Sequence, residues 1–161
     1  MIILGIDPGF AITGYGVLDY KDNRFTALTY GVLSTKSTEL FTDRLNAIDK
    51  RIKELIIEYK PDCCSIEELF FNNNAKTAIA AAQGRGVAII SVTSHGIPVY
   101  EYTPLQVKQS VTGYGRADKN QVQQMVKMIL HLDKIPKPDD AADALAIAIC
   151  HAHSKLIAKR I

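Results

Sequence analysis

The 161-residue sequence has no tryptophan, only three cysteines and only six prolines. It also lacks any apolar run approaching the ~20 residues of a membrane helix. The longest candidate, Ala78–Ile90, is interrupted by Gln83 and Arg85, so no membrane partner is expected. No basic region stands ahead of the apolar start Met1-Ile2-Ile3-Leu4, so a secretory signal is not expected either. Cys63 and Cys64 are adjacent, Cys150 is distant, and no CxxC spacing exists. A disulfide framework and a cysteine zinc site are both disfavoured, and reduced thiols in the cytoplasm are expected. In Cys150-His151-Ala152-His153, neighbours one apart point to different faces of a helix, whereas shared metal ligands need a spacing of three or four. Strong net charge is missing too, the total being +2.

That small total hides a local excess. Residues 104–137 carry Lys108, Arg116, Lys119, Lys127, Lys134 and Lys137 against Asp118 and Asp133, a net +4. Such a stretch suits an anionic partner met on one surface, or else a solvated helix face, and charge alone does not choose between them. Apolar residues are 47% and charged residues 22%, an ordinary globular composition whose length suits one domain over residues 1–161.

Hydrophobic patterning predicts an alternation of strands and helices. Ile2–Asp7 is apolar on both faces and ends in the turn signal Asp7-Pro8-Gly9, as a central strand would. Thr13–Tyr20 and Phe25–Thr35, joined by Lys21-Asp22-Asn23-Arg24, read as an antiparallel hairpin. Leu45, Ile48, Ile52, Leu55 and Ile56 recur at helical spacing within Glu39–Tyr59, before Pro61. Asp62–Glu67 reads as a second buried strand. An alanine-rich helix is expected from Asn72-Asn73-Asn74 to about Thr93, then a strand over Ile97–Tyr102 and a short helix from Pro104 to about Thr112. Asp118 is placed to cap a helix running through Leu132, and a last helix begins at Asp139 or Asp140. This order predicts an α/β fold: a mixed five-stranded sheet with helices on both faces, the later strands parallel to the first.

Four carboxylates stand where a structural role alone is awkward. Asp7 and Glu67 each end a buried strand; if those strands are parallel neighbours, both acids project from the sheet edge where α/β folds place ligands. Asp140 and Asp143 are three apart and share a helix face, while Asp139 suits an N-cap. Taken singly, Asp7 could serve its turn and Glu67 a solvated loop. Together, four acids at one place repel one another unless a cation lies between them, and an all-oxygen set suits Mg²⁺ or Mn²⁺ rather than zinc. Two such ions roughly 3.5–4 Å apart serve phosphoryl transfer. A two-carboxylate glycosidase leaves two acids unexplained.

Four segments carry a family resemblance: Ile3-Leu4-Gly5-Ile6-Asp7-Pro8-Gly9, Ser65-Ile66-Glu67-Glu68-Leu69-Phe70, Gln83-Gly84-Arg85-Gly86-Val87-Ala88-Ile89 and Asp140-Ala141-Ala142-Asp143-Ala144-Leu145-Ala146. In order and spacing the sequence resembles RuvC, the bacterial Holliday-junction resolvase family of ribonuclease-H-like fold. The resemblance implies metal-dependent nicking with Asp7, Glu67, Asp140 and Asp143 as catalytic and metal-holding carboxylates and two Mg²⁺ ions, Mn²⁺ being a substitute. It implies Lys108 and Lys119 beside the scissile strand and Phe70 against bases near the junction centre, with Arg116 in the same basic stretch. It further implies a homodimer, four-way DNA junctions as substrate and RuvA–RuvB as branch-migration partners. The helix Ala75–Val92, with Ala78, Ala82, Gly84, Gly86 and Ala88, is a candidate dimer face, although ordinary packing on the sheet explains its small residues equally well.

Three rivals remain. An actin-like kinase needs two such domains, and Gly14-Tyr15-Gly16 has Asp19 where a GxGxxG has its last glycine. A non-catalytic junction scaffold does not need four intact acids. A ribonuclease-H-like enzyme acting on RNA shares fold and metals, and the sequence leaves it open.

Overall fold

A computed structural model describes residues 1–69, 75–154 and 159–160. Ile3, Leu4 and Ile6 have no solvent exposure, and the reason is the central place of their strand, β1 (Ile2–Asp7). On one side β1 pairs antiparallel with β2 (Ile12–Lys21), which pairs antiparallel with β3 (Arg24–Ser34). The two-residue turn between β2 and β3 needs positive φ at both positions, and Asp22 (51°) and Asn23 (59°) supply it. On its other side β1 runs parallel to β4 (Cys63–Glu67), and β4 runs parallel to β5 (Val99–Tyr102).

A two-residue strand, β6 (Lys159–Arg160), pairs antiparallel with β5 and completes the order β3-β2-β1-β4-β5-β6. The five-stranded mixed sheet expected from the sequence is therefore present, with β6 as a short addition for which the sequence offered no motif. Strand and helix ends differ from the sequence expectations by up to three residues.

Helices cover both faces. On one face α1 (Phe41–Tyr59) buries Ile48, Ile52, Leu55 and Ile56. Beside it α2 (Ala75–Thr93) buries Ala88 and Val92, and both meet Leu4, Ile6, Val17, Cys64 and Ile66 of the sheet. Lys60 ends α1 in the left-handed region, ahead of Pro61. The opposite face carries α3 (Pro104–Thr112), α4 (Lys119–Ile129) and α5 (Asp139–Ser154). Thr103 and Asp118 each close a capping box, with Gln106 and Gln121 respectively. Helix α4 stops at Leu130, short of the expected Leu132, because His131 takes a positive φ of 51°.

Helix α5 lies against β1 and β2 and is buried without a break from Ala144 to His151. Glycine makes that closeness possible. A Cβ on Gly5 would collide with the Ala144 carbonyl oxygen, and one on Gly14 with the Asp140 carbonyl oxygen. Gly16 similarly leaves room for the Leu145 side chain. The Gly14-Tyr15-Gly16 segment, no phosphate loop, is thus part of the seat of α5.

None of the three cysteines is in a disulfide, and all are buried. His151 Nδ1 shares a 2.7 Å hydrogen bond with the Tyr102 hydroxyl, and His153 Nδ1 lies 3.1 Å from the Ser110 carbonyl oxygen, so each imidazole has a structural partner. Among the described residues, no helix is long and apolar enough to cross a membrane.

Candidate active site

The site is built by strand alternation. Cys64 and Ile66 face α1 and α2, whereas Cys63 faces α5, so Glu67 at the end of β4 projects to the α5 side. In β1 the same alternation sends Leu4 and Ile6 to the α1 side and Ile3, Gly5 and Asp7 to the α5 side. Ile6 and Ile66 are register partners in the parallel pair, so Asp7 and Glu67 leave the sheet side by side. Facing them is the N-terminal part of α5, with Asp140 in its first turn and Asp143 just beyond, held down by the contact of the Asp140 backbone with Gly14.

The charges of these groups act on one another. Burial, then the negative charges of Glu67, Asp143 and Asp140, pushes the Asp7 pKa up to about 8, with Lys119 opposing. Burial and Asp143 push Glu67 up to about 7, against the pull of Lys108 and Lys119. Asp143 is also raised, chiefly by burial, although a hydrogen bond from Lys119 resists the shift. Lys119, the first helical residue of α4, lies with Nζ 3.1 Å from Asp143 and 3.7 Å from Asp139. Burial disfavours its charge, but the Asp143 hydrogen bond and the surrounding carboxylates outweigh that and raise its pKa.

A cavity of about 200 Å³ opens between these groups, lined by Glu67, Asp143, Lys108 and Lys119 over a floor that includes Val107 and Val122. Lys108 reaches it from α3. Arg116 lies apart, exposed in the loop between α3 and α4. Phe70 lies outside the described residues, as does the expected Asn72-Asn73-Asn74 helix start. Asp139 does not serve as the N-cap that its position suggested. It is the first residue of α5, and its carboxylate pairs with Lys137 at 2.8 Å as well as with Lys119. Among the described residues, no group of three or more His, Cys, Asp or Glu is arranged to hold a metal ion as it stands.

Sequence reading missed one group near the site. Arg85 of α2 donates from Nε to the Glu67 carbonyl oxygen at 3.2 Å, and its terminal nitrogen pairs with Glu101 in the middle of β5. A signal was present: Arg85 is the only charge within Ala78–Ile90, and Glu101 the only charge within Ile97–Tyr102. Two opposite charges interrupting two buried segments point to each other.

A family model described as "Crossover junction endodeoxyribonuclease RuvC" matches residues 3–151. A protein of that name from Alkaliphilus oremlandii (strain OhILAs) is 59% identical over 154 residues, covering 96% of this chain and 94% of the relative. A solved structure of Thermus thermophilus RuvC superimposes with a TM-score of 0.93 at 34% identity, covering 100% of both chains. The T. thermophilus RuvC solved in complex with a Holliday junction substrate gives 0.92 at 32% identity, again covering 100% of both. On the extent of these matches, the chain belongs to the RuvC family of crossover junction endodeoxyribonucleases.

Proposed function

We propose that residues 1–161 act as one ribonuclease-H-like nuclease domain that resolves four-way DNA junctions by paired, symmetric, metal-dependent nicks. The observation that carries this reading is the meeting of Asp7, Glu67, Asp140 and Asp143 at one sheet edge, with Lys108 and Lys119 beside them, in a chain of this family.

The donor set fits a hard divalent cation. All four groups are carboxylates, no thiol or imidazole lies among them, and their mutual repulsion is what a cation relieves. Asp7, Glu67, Asp140 and Asp143 would hold Mg²⁺, or Mn²⁺ in its stead. Two such ions supply charge stabilisation to the attacking and leaving oxygens of phosphodiester hydrolysis when bound. The protein's own part is to orient the carboxylates from a rigid sheet edge and a seated helix, and to offer lysines to the phosphate. Among the described residues Lys108 lines the cleft without an ion-pair partner as close as the one Lys119 has in Asp143, so it is the readier phosphate contact. Arg116 extends the positive surface outward. Phe70 follows the strand end by three residues, where an aromatic side chain can stack on a base already unpaired at a branch point.

Two symmetric cuts require two sites, which a C₂ dimer provides. The outward face of α2 suits that role: Ile79 and Ile90 are 60% and 61% exposed, and Ala82 and Gly86 lie on the same stripe. A side chain at Gly86 would meet nothing within 4 Å, so the stripe is open to a second copy. Gly84 and Ala88 point inward instead, Gly84 against Ile48, which removes them from the candidate dimer face. RuvA–RuvB as partners and a bacterial cytoplasmic setting follow from the family resemblance.

A nicking assay on a four-way junction, a linear duplex and a structured RNA of matched sequence tests this function. Paired nicks in the junction alone are expected. Equal cutting of duplex, or preferential cutting of RNA, would overturn it in favour of a less selective nuclease. Gly86→Glu should give monomers by sedimentation and single rather than paired nicks.

A further inference from the structure

Arg85 reaches the candidate site from behind. It belongs to α2, on the face of the sheet opposite to α5, while the Glu67 side chain projects toward α3, α4 and α5. Its guanidinium spans two parallel neighbours. Nε donates to the main-chain carbonyl of Glu67, the last residue of β4, and a terminal nitrogen pairs with the Glu101 carboxylate of β5. Both side chains are mostly buried, at 15% and 13% exposure. Burying an ion pair gains little over apolar packing, so stability alone is a weak reason to keep one there. A planar fork that donates in two directions at once has a geometric use that a lysine cannot reproduce.

Strand β4 ends at Glu67. The Glu68 amide makes one more bond across, to the Tyr102 carbonyl at 2.8 Å. The Arg85 bond to the Glu67 carbonyl adds a side-chain restraint to this end of the ladder, at the residue whose side chain matters.

We propose that Arg85 is a positioning residue, with Glu101 as its counter-charge, that fixes the backbone of Glu67 so that its carboxylate meets the metal and the cleft in one orientation. The proposal rests on Glu67 being a metal-holding carboxylate. Arg85 does not touch substrate from its side of the sheet; it acts through Glu67.

Arg85→Lys keeps the charge beside Glu101 but loses the second donor direction. Outer partners of metal ligands typically govern affinity by about 10–100-fold. The full-length variant should bind Mn²⁺ about 10-fold more weakly by calorimetry without DNA. It should need a correspondingly higher Mg²⁺ concentration for half-maximal junction cutting, with metal-free junction binding unchanged. Glu101→Gln, which keeps the shape and an acceptor oxygen, should move both readouts the same way, and it answers the question should Arg85→Lys not fold. Arg51→Met serves as the control for lost structure, since Arg51 bonds the Tyr15 hydroxyl of β2 at 2.7 Å, with β1 lying between that strand and β4. It should lower the melting temperature without altering either metal readout. Unchanged Mn²⁺ affinity and Mg²⁺ requirement in folded Arg85→Lys, whatever its melting temperature, would overturn the proposal. Glu67→Gln separates the two levels. If it abolishes the Mn²⁺ response while Arg85→Lys does not alter it, only the positioning role fails; if Glu67→Gln leaves Mn²⁺ binding intact, the site reading itself fails.

Discussion

The Nζ atom of Lys119 lies 3.1 Å from the Asp143 carboxylate, so the first residue of α4 and the N-terminal part of α5 share a charge-assisted bond at the mouth of the cleft. Lys108, across the same cavity, lowers the pKa of Glu67 by its charge. The two lysines are therefore unequal, one already neutralised by an acid and the other more available to phosphate.

That inequality predicts different salt behaviour. Lys108→Ala should reduce the slope of log K against log salt for junction binding by about 0.9, the value for one lost phosphate contact. Lys119→Ala should reduce it by less, while slowing cutting at least as much, because Asp143 loses its partner. Fluorescence anisotropy across a salt series, paired with single-turnover cutting, checks both. Equal slopes and unchanged rates in both variants would return the basic stretch to a solvated helix face.

Stability should depend on pH with a defined sign. Asp7 titrates near 8 in the folded protein against 3.8 ordinarily, so between those values the folded state holds a proton that the unfolded chain has lost. Stability contributed at this position is present below about pH 4 and is lost progressively as pH rises toward 8. Glu67, near 7, adds to the loss in the same direction. In EDTA, Asp7→Asn should therefore be more stable than the parent at pH 8 by on the order of 3 kcal/mol, with little difference at pH 4. Mg²⁺ should raise the parent's melting temperature more at pH 8 than at pH 6. Denaturant melts across that range measure it, and a parent more stable than Asp7→Asn in EDTA at pH 8 would contradict the charge cluster.

The seat of α5 gives a third expectation. Gly14→Ala would drive a methyl into the Asp140 carbonyl oxygen, which must move with the helix. A loss of about 1–3 kcal/mol is expected by denaturant melts, the range for overpacking a close contact. Cutting should fall even at temperatures where the variant is fully folded, since Asp140 and Asp143 travel with the helix.

Much of this arrangement was legible in the residues because its causes are local. Ile2–Asp7 and Asp62–Glu67 are apolar runs that stop at acids, and Asp140 and Asp143 share a face by spacing alone. Parallel pairing of β1 with β4 followed from the helix between them, and it brings Asp7 beside Glu67. The capping role of Asp118 was equally local. What could not be read depends on which elements meet in three dimensions. Gly5, Gly14 and Gly16 carry no periodic signal naming α5 as their neighbour, and the reach of Arg85 to Glu101 and Glu67 depends on the order of β4 and β5. The position of Asp139 suits a cap, but its carboxylate pairs with Lys137 and Lys119, which the spacing alone does not name. The inward turn of Gly84 and Ala88 similarly required the position of α1.

The most direct measurement is a comparison of junction binding and junction cutting, in Mg²⁺, for Asp7→Asn, Glu67→Gln, Asp140→Asn and Asp143→Asn. Each amide keeps the size of the side chain and removes one charge from the cluster. Cutting should fall by at least about 100-fold in all four, on the scale of losing an electrostatic contact made to the reacting groups. Binding should stay equal or tighten, because a negative charge facing phosphate is gone. Full nicking activity in any one of the four folded variants would contradict the four-carboxylate site at that residue.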